Sequence, residues 1–428
     1  MSAYDAQLMR VIGRGSLTAV VINSVIGSGI FALPSVVAAL TGYWSPVVVI
    51  IAALGILPIA LCVAEVGSRF DVAGGPYLYT RYAFGGNIGF HVGWLLLWTR
   101  LLSAGAVLNV LTAYLATLVP WVGTEVGRAL TMIGAVALFT AINVRGVRQA
   151  SWTINAFTIA KLLPLVLLLV LGLIHLRGDV IATQKVAAPQ WTDAVLQMVF
   201  AFAGFEVALV AAGELRRPRQ DAAFAIVVGM AIITTVYALT QLALIGVLPN
   251  AARSQAPIAD ALRATLGGGG AVIGSLAAAI SAYGWLTGNA LLVPRMPFSM
   301  AERGELPSGL ARVHPTLRTP HVAIISCSLI ALGLGLAGSF AATATLSAIG
   351  RLIVYGLTCA ALVRLRRKDA PPAGFVLPAG TFFATIGVLF SLWLVSTRSF
   401  TQAWMIGAIV LGGALVRWGA RRRKLDGQ

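Results

Sequence analysis

The residues able to do chemistry are few, and most stand where charge is least welcome. Arg100, Lys161, Glu206 and Arg351 each lie inside or at the edge of a long apolar run. An arginine at the centre of a bilayer costs at least about 2.5–3.5 kcal/mol, so such a residue needs a partner or a task. Two of the runs also carry glycine near their middle. One reads Ile22-Asn23-Ser24-Val25-Ile26-Gly27-Ser28-Gly29-Ile30-Phe31-Ala32-Leu33-Pro34, the other Phe200-Ala201-Phe202-Ala203-Gly204-Phe205-Glu206. A helix unwound at Gly27–Gly29 frees backbone N–H groups at the start of its second half, where the positive dipole end suits a carboxylate. Unwinding in the second run frees carbonyls, which suit an ammonium group. A zwitterion presents both. The plainer alternative is that these glycines are small-residue packing surfaces between helices. That fits less easily two breaks at matched positions, one beside a carboxylate.

Bond-making chemistry has no comparable constellation. His91 and His175 lie near run ends, His314 and His321 share a loop, and neither HExxH nor GxSxG occurs. Cys62, Cys327 and Cys359 sit in apolar runs at no metal-ligand spacing, which reads as buried free thiols. No metal, cofactor or enzymatic activity is expected.

The elements that must position these residues follow from composition. Of 428 residues 58% are apolar and 11% charged, whereas a soluble protein carries about 25% charged. A span needs about 20 apolar residues. Twelve runs qualify: 18–40, 45–68, 86–117, 127–144, 152–175, 194–213, 222–248, 270–299, 321–339, 341–363, 378–397 and 402–418. The chain is therefore expected to be an all-α polytopic membrane protein. A net charge of +17 is of the size that nucleic-acid-binding chains carry, but the cations cluster in short loops between apolar runs, so no nucleic acid is expected. Placing both termini in the cytoplasm puts 22 of the 31 basic residues on that side, which predicts the orientation in a cell membrane, the inner one in a bacterium. The polar stretch 1–17 holds no run of signal-peptide type, so it is expected to remain as a cytoplasmic N-terminus. Runs one to five (18–175) and six to ten (194–363) form two halves. An odd number of spans per half starts the second copy from the opposite side. Interrupted helices at corresponding places in inverted halves point to a secondary transporter's site. Residues 378–418 add two spans, and 419–428 form a cytoplasmic tail. Its Arg421-Arg422-Arg423-Lys424 run is placed to meet membrane lipid, although a topology anchor is the simpler reading.

Four motifs in order resemble the amino acid–polyamine–organocation superfamily. They are Gly27-Ser28-Gly29-Ile30-Phe31; Ala64-Glu65-Val66-Gly67-Ser68-Arg69-Phe70-Asp71-Val72-Ala73-Gly74-Gly75-Pro76-Tyr77-Leu78-Tyr79 with Ala83-Phe84-Gly85; Phe202-Ala203-Gly204-Phe205-Glu206 with Gly213-Glu214-Leu215-Arg216-Arg217-Pro218; and Met300-Ala301-Glu302-Arg303-Gly304-Glu305-Leu306-Pro307. Asp71 departs from the proline usual there. The resemblance covers nearly the whole chain and implies a LeuT-type fold: twelve spans, a 5+5 inverted repeat, and broken spans 1 and 6. By likeness to the arginine–agmatine exchanger branch, Ser28 and Gly29, beside Gly27, would donate N–H groups to the substrate carboxylate. The carbonyls of Val25, Phe200 and Ala203 would take its ammonium, with Phe200 as aromatic lid. Glu206 matches an acid implicated in proton coupling, Tyr355 a gating tyrosine, and Thr99 and Arg100 a stretch that meets the substrate side chain. Arg351, one turn before Tyr355, falls near the same pocket.

Lys161 lies about nine residues into its run, roughly 13 Å deep at 1.5 Å per residue. It matches a lysine that some members carry where sodium-coupled relatives hold sodium, with Ser281 or Thr287 as hydroxyl partners. Its alternative role is a permanent charged strut, and both roles argue against sodium. For Glu206 the alternative role is an internal salt bridge with no part in coupling. Arg100, Lys161 and Arg351 against Glu206 leave a surplus of positive charge. Either the surplus recruits an anionic substrate side chain, or one arginine pairs with Glu206 while the other binds backbone carbonyls. The expected function is a sodium-independent amino acid permease, proton-coupled or an exchanger, for neutral or acidic amino acids. A transporter-fold sensor or channel is the alternative, and a membrane enzyme the least favoured. The oligomeric state is left open.

Overall fold

The computed structural model describes residues 14–27, 29–70, 75–145, 151–206, 218–367 and 370–426, without the side chains at 16, 151–161, 218–223, 421 and 423–426. Helices lie over all twelve apolar runs. Run one is two helices, α1 (Arg14–Val25) and α2 (Gly29–Thr41). A single 3-10 turn, Gly42–Trp44, leads into α3 (Ser45–Gly67). Gly42 sits at φ 57°, and a side chain there would collide with the Gln184 carbonyl. A short α4 (Gly75–Phe84) precedes α5 (Gly86–Ala116), α6 (Glu125–Arg145) and α7 (Ser151–Ile174). After α8 (Gly178–Thr183) come α9 (Trp191–Ala201), α10 (Pro218–Val247) and α11 (Pro257–Leu266). Then follow α12 (Gly268–Leu292), α13 (Arg295–Glu302), α14 (His321–Ala337), α15 (Phe340–Arg367), α16 (Gly380–Ser396) and α17 (Phe400–Asp426).

Among the described residues, seven helical stretches are long and apolar enough to cross a membrane on their own. Part of the difference from twelve runs lies in how helices join and how long they are. The first of these stretches, Gly29–Gly67, joins α2 and α3 through the 3-10 turn and so covers two runs. Others, such as His321–Ala337 and Gly380–Ser396, are shorter helices. The chain is an all-helical multi-pass membrane protein. Its core gathers side chains from α1, α2, α3, α9, α10 and α15, whereas α17 carries exposed Phe400, Trp404, Leu411 and Leu415.

Two clusters tie the cation-rich end together. Glu65 of α3 is fully buried, accepts from Arg69 and Arg366, and takes the Leu377 N–H at 2.8 Å. Glu305 accepts from Arg81 at 2.7 Å and from the Tyr77 hydroxyl at 3.0 Å. A buried carboxylate is tolerated because each lone pair finds a donor. At the other end, the segment between α7 and α9 is laced to both sides. Its Arg177 N–H donates to Gly246 and the Gln184 side chain to Leu248 and Pro249, while Gln184 O accepts from Tyr43 and the Gln190 N–H donates to Leu40.

Candidate functional site

The two breaks meet face to face. In the first, α1 ends at Val25, a bend carries Ile26 and Gly27, and α2 begins at Gly29; Ser28 lies outside the described residues. Gly29 is thus the first helical residue of α2, where N–H groups have no partner within the helix. In the second, α9 ends at Ala201, a turn runs over Phe202–Gly204, and Phe205–Glu206 begin a 3-10 turn. Gly204 has φ 123°, a backbone region other residues rarely enter. It also presses on the first break: a Cβ there would stand 2.5 Å from the Ser24 carbonyl oxygen. Gly29 in turn faces Phe200, whose ring lies 3.4 Å from where its Cβ would be. The Phe200 ring meets Phe340 edge-on at 5.9 Å, covering the break from one side.

Two of the three expected carbonyls, those of Val25 and Phe200, have protein partners. Val25 O accepts the Gly27 N–H at 2.7 Å and the Tyr237 hydroxyl at 3.0 Å, and Tyr237 also reaches Ala201 O at 3.3 Å. Phe200 O accepts the Ala203 N–H at 3.3 Å. Tyr237, fully buried on α10, therefore joins the ends of both first half-helices. One turn along the same face, Gln241 donates to Pro34 O at 3.0 Å. These two residues were not expected from the sequence, although a tyrosine and a glutamine four apart in an apolar run are a visible signal.

Glu206 is the hub of the buried charges. Its Oε1 accepts Arg100 Nη2 at 3.1 Å and Arg351 Nη1 at 3.2 Å. Its Oε2 accepts the Gly204 N–H at 3.0 Å and the Tyr355 hydroxyl at 3.3 Å. Both arginines thus share one carboxylate, which differs from the alternative that gave one arginine to Glu206 and the other to backbone carbonyls. Arg351 completes its shell with the hydroxyls of Ser103 at 3.2 Å and Ser347 at 3.4 Å. The cause lies in the helix contact. Gly350 on α15 lacks a Cβ, which would stand 2.6 Å from the Thr99 methyl, so α15 and α5 approach closely enough for their arginines to meet. Thr99 is fully buried there, its hydroxyl on Leu96 O and its carbonyl accepting from Ser103 and Ser347. A serine stands one turn from each mid-span arginine in the sequence, a spacing that does not by itself bring the two arginines together. The side chain of Arg351 is 3% exposed and that of Glu206 11%, while Arg100 keeps 23%. Two cations on one anion leave a local excess of one positive charge, with Arg100 its accessible member.

Lys161 lies on α7, but its side chain is outside the described residues. Its two expected partners are on α12: Ser281 is buried, and the Thr287 hydroxyl donates to Tyr283 O at 2.9 Å. Trp285 of the same helix reaches the first break, 3.7 Å from the Cβ position of Gly27. Among the described residues no cluster of His, Cys, Asp and Glu has metal-binding form.

Compared with known proteins, residues 12–415 match the family described as amino acid permease. The chain is 28% identical to a serine/threonine exchanger of Bacillus subtilis, over 99% of this chain and 100% of that protein. It is 27% identical to a methylthioribose transporter and to a branched-chain amino acid permease of the same organism, each over 91% of this chain and 88% of the relative. These relatives support the permease family rather than its arginine–agmatine branch in particular. They are transporters and not enzymes, and the chain belongs to the amino acid permease family.

Proposed function

We propose that this permease carries neutral amino acids by alternating access, without sodium, as an exchanger or with protons. The fold it implies is of LeuT type, with ten of twelve crossings in two inverted five-helix halves, two more beyond them, and both termini in the cytoplasm. The observation that carries the reading is the face-to-face packing of the two helix breaks, Gly204 against Ser24 and Gly29 against Phe200. At that junction the α2 N-terminus offers donors to a carboxylate, and the carbonyl ends of α1 and α9 suit an ammonium. An ammonium entering there competes with Tyr237 for Val25 O. Two of the relatives, the serine/threonine exchanger and the branched-chain amino acid permease, are named for neutral side chains.

The charge hub favours the same class. Its excess of positive charge repels lysine or arginine side chains, because like charges interact strongly where water is scarce. An acidic substrate is the second reading, favoured by the partial exposure of Arg100. Proteoliposomes loaded with unlabelled serine, then given labelled serine, leucine, glutamate or arginine, separate these possibilities. Serine or leucine uptake is expected, unchanged on replacing sodium with potassium, with arginine excluded. Strong arginine uptake or a sodium requirement would overturn the assignment. Arg100→Ala should weaken glutamate more than serine if an acidic side chain docks there; equal losses would remove the second reading. Absence of any uptake, with retained ligand-induced stabilisation, would instead favour a sensor.

A further inference from the structure

Along α15, Ile353, Leu357, Ala360 and Val363 are half-buried and recur at three- or four-residue spacing, which places them on one side of the helix. The stripe runs into Arg364 and Arg367, both exposed. At this end Phe84, Ala360, Val363, Arg364 and Arg367 line an open groove of about 310 Å³. Arg364 is held at its wall: Nε donates to Ala83 O at 2.7 Å, and the guanidinium lies 5.8 Å from the centre of the Phe84 ring. Arg366, between the two, points instead to Glu65 and is neutralised there. Among the described residues, neither Arg364 nor Arg367 forms an ion pair. The groove is therefore apolar toward the membrane middle and cationic where α15 leaves it.

We propose that this groove binds an anionic phospholipid, its phosphate between Arg364 and Arg367 and an acyl chain along Val363, Ala360, Leu357 and Ile353. Charge and shape select this occupant. A soluble anion would meet the arginines but leave the groove's apolar wall of Phe84, Ala360 and Val363 uncovered, and a zwitterionic lipid would bring its own cation toward two guanidinium groups. Basic residues at the end of a span attract anionic headgroups within a Debye length. The bound lipid would lie on the helix that carries Arg351 and Tyr355, so its occupancy bears on the transport site without touching it.

The test uses purified full-length protein, delipidated and offered equal phosphatidylglycerol and phosphatidylcholine, with retained lipids counted by native mass spectrometry. Wild type should retain phosphatidylglycerol about thirtyfold over phosphatidylcholine, from two interfacial arginines. Arg364→Gln with Arg367→Gln should erase the preference, and Ala360→Trp, which fills the groove without changing charge, should reduce retention similarly. Arg367→Gln alone spares the Arg364–Ala83 bond and should lower retention about fivefold, a readout that stands if the double variant fails to fold. Millimolar inorganic phosphate should not displace the lipid. Equal retention of both lipids, an unchanged preference in Arg367→Gln and Ala360→Trp, or displacement by phosphate would each overturn the proposal.

Discussion

A carboxylate shared by two guanidinium groups sets the hierarchy among its partners. Removing the anion is the worst change, because Glu206→Gln leaves Arg100 and Arg351 facing each other in a water-poor place. Breaking a buried pair this way costs about 3–5 kcal/mol. The expected result is a clear fall in the unfolding temperature in detergent together with loss of uptake; a variant as stable and active as wild type would contradict the hub. Removing one arginine is milder, since the other keeps the whole of Oε1. Arg351→Gln should still destabilise more than Arg100→Gln, because Arg351 is the more deeply buried and carries the two serine hydroxyls as well. Tyr237→Phe tests the second half of the site. It deletes a hydroxyl donated to Val25 O and Ala201 O and nothing else. A neutral hydrogen bond contributes about 1 kcal/mol, so the KM for serine should change by roughly fivefold while the protein stays folded.

At the scale of elements, the breaks in α1–α2 and α9 depend on glycine in different ways. Gly204 combines φ 123° with a Cβ position 2.5 Å from Ser24 O. Gly204→Ala must therefore separate the two breaks, on top of about 1–3 kcal/mol of backbone strain. Uptake should be lost and thermal stability lowered. Gly27→Ala is the control, for its Cβ would make only an ordinary 3.7 Å contact with Trp285. It should fold with near-wild-type stability, and equal damage from both substitutions would argue against the packing described. The interruptions were legible in the sequence because glycine beside polar residues in an apolar run is a local signal. The first lies slightly earlier than expected, since Gly29 already opens α2. The sharing of Glu206 was not legible. It depends on α5 and α15 meeting at Thr99 and Gly350, a tertiary contact that no run of neighbouring residues encodes. Tyr237 and Gln241 stand visibly four apart in an apolar run, but what Tyr237 bonds appears only once α10 lies across both breaks.

For the whole molecule, the cation distribution makes the orientation testable. Asp179, between α7 and α9, should lie outside the cell, and Arg312, before α14, inside. The three native cysteines are buried, so background labelling is low. A membrane-impermeant maleimide added to intact cells should label Asp179→Cys and spare Arg312→Cys until the membrane is opened; the reverse pattern would invert the topology. The segment carrying Asp179 has a further consequence. It joins the two halves in sequence, yet it is fastened to the end of α2 through Leu40 and Tyr43 and to the end of α10 through Gly246 and Leu248. A flexible tether would let the halves slide past one another; this one is riveted to both. Any rearrangement that uncovers the site on that side must carry these helix ends and the connector as a single slab, or tear the rivets first. The fault line of the moving machine therefore runs elsewhere than along its seam in the chain.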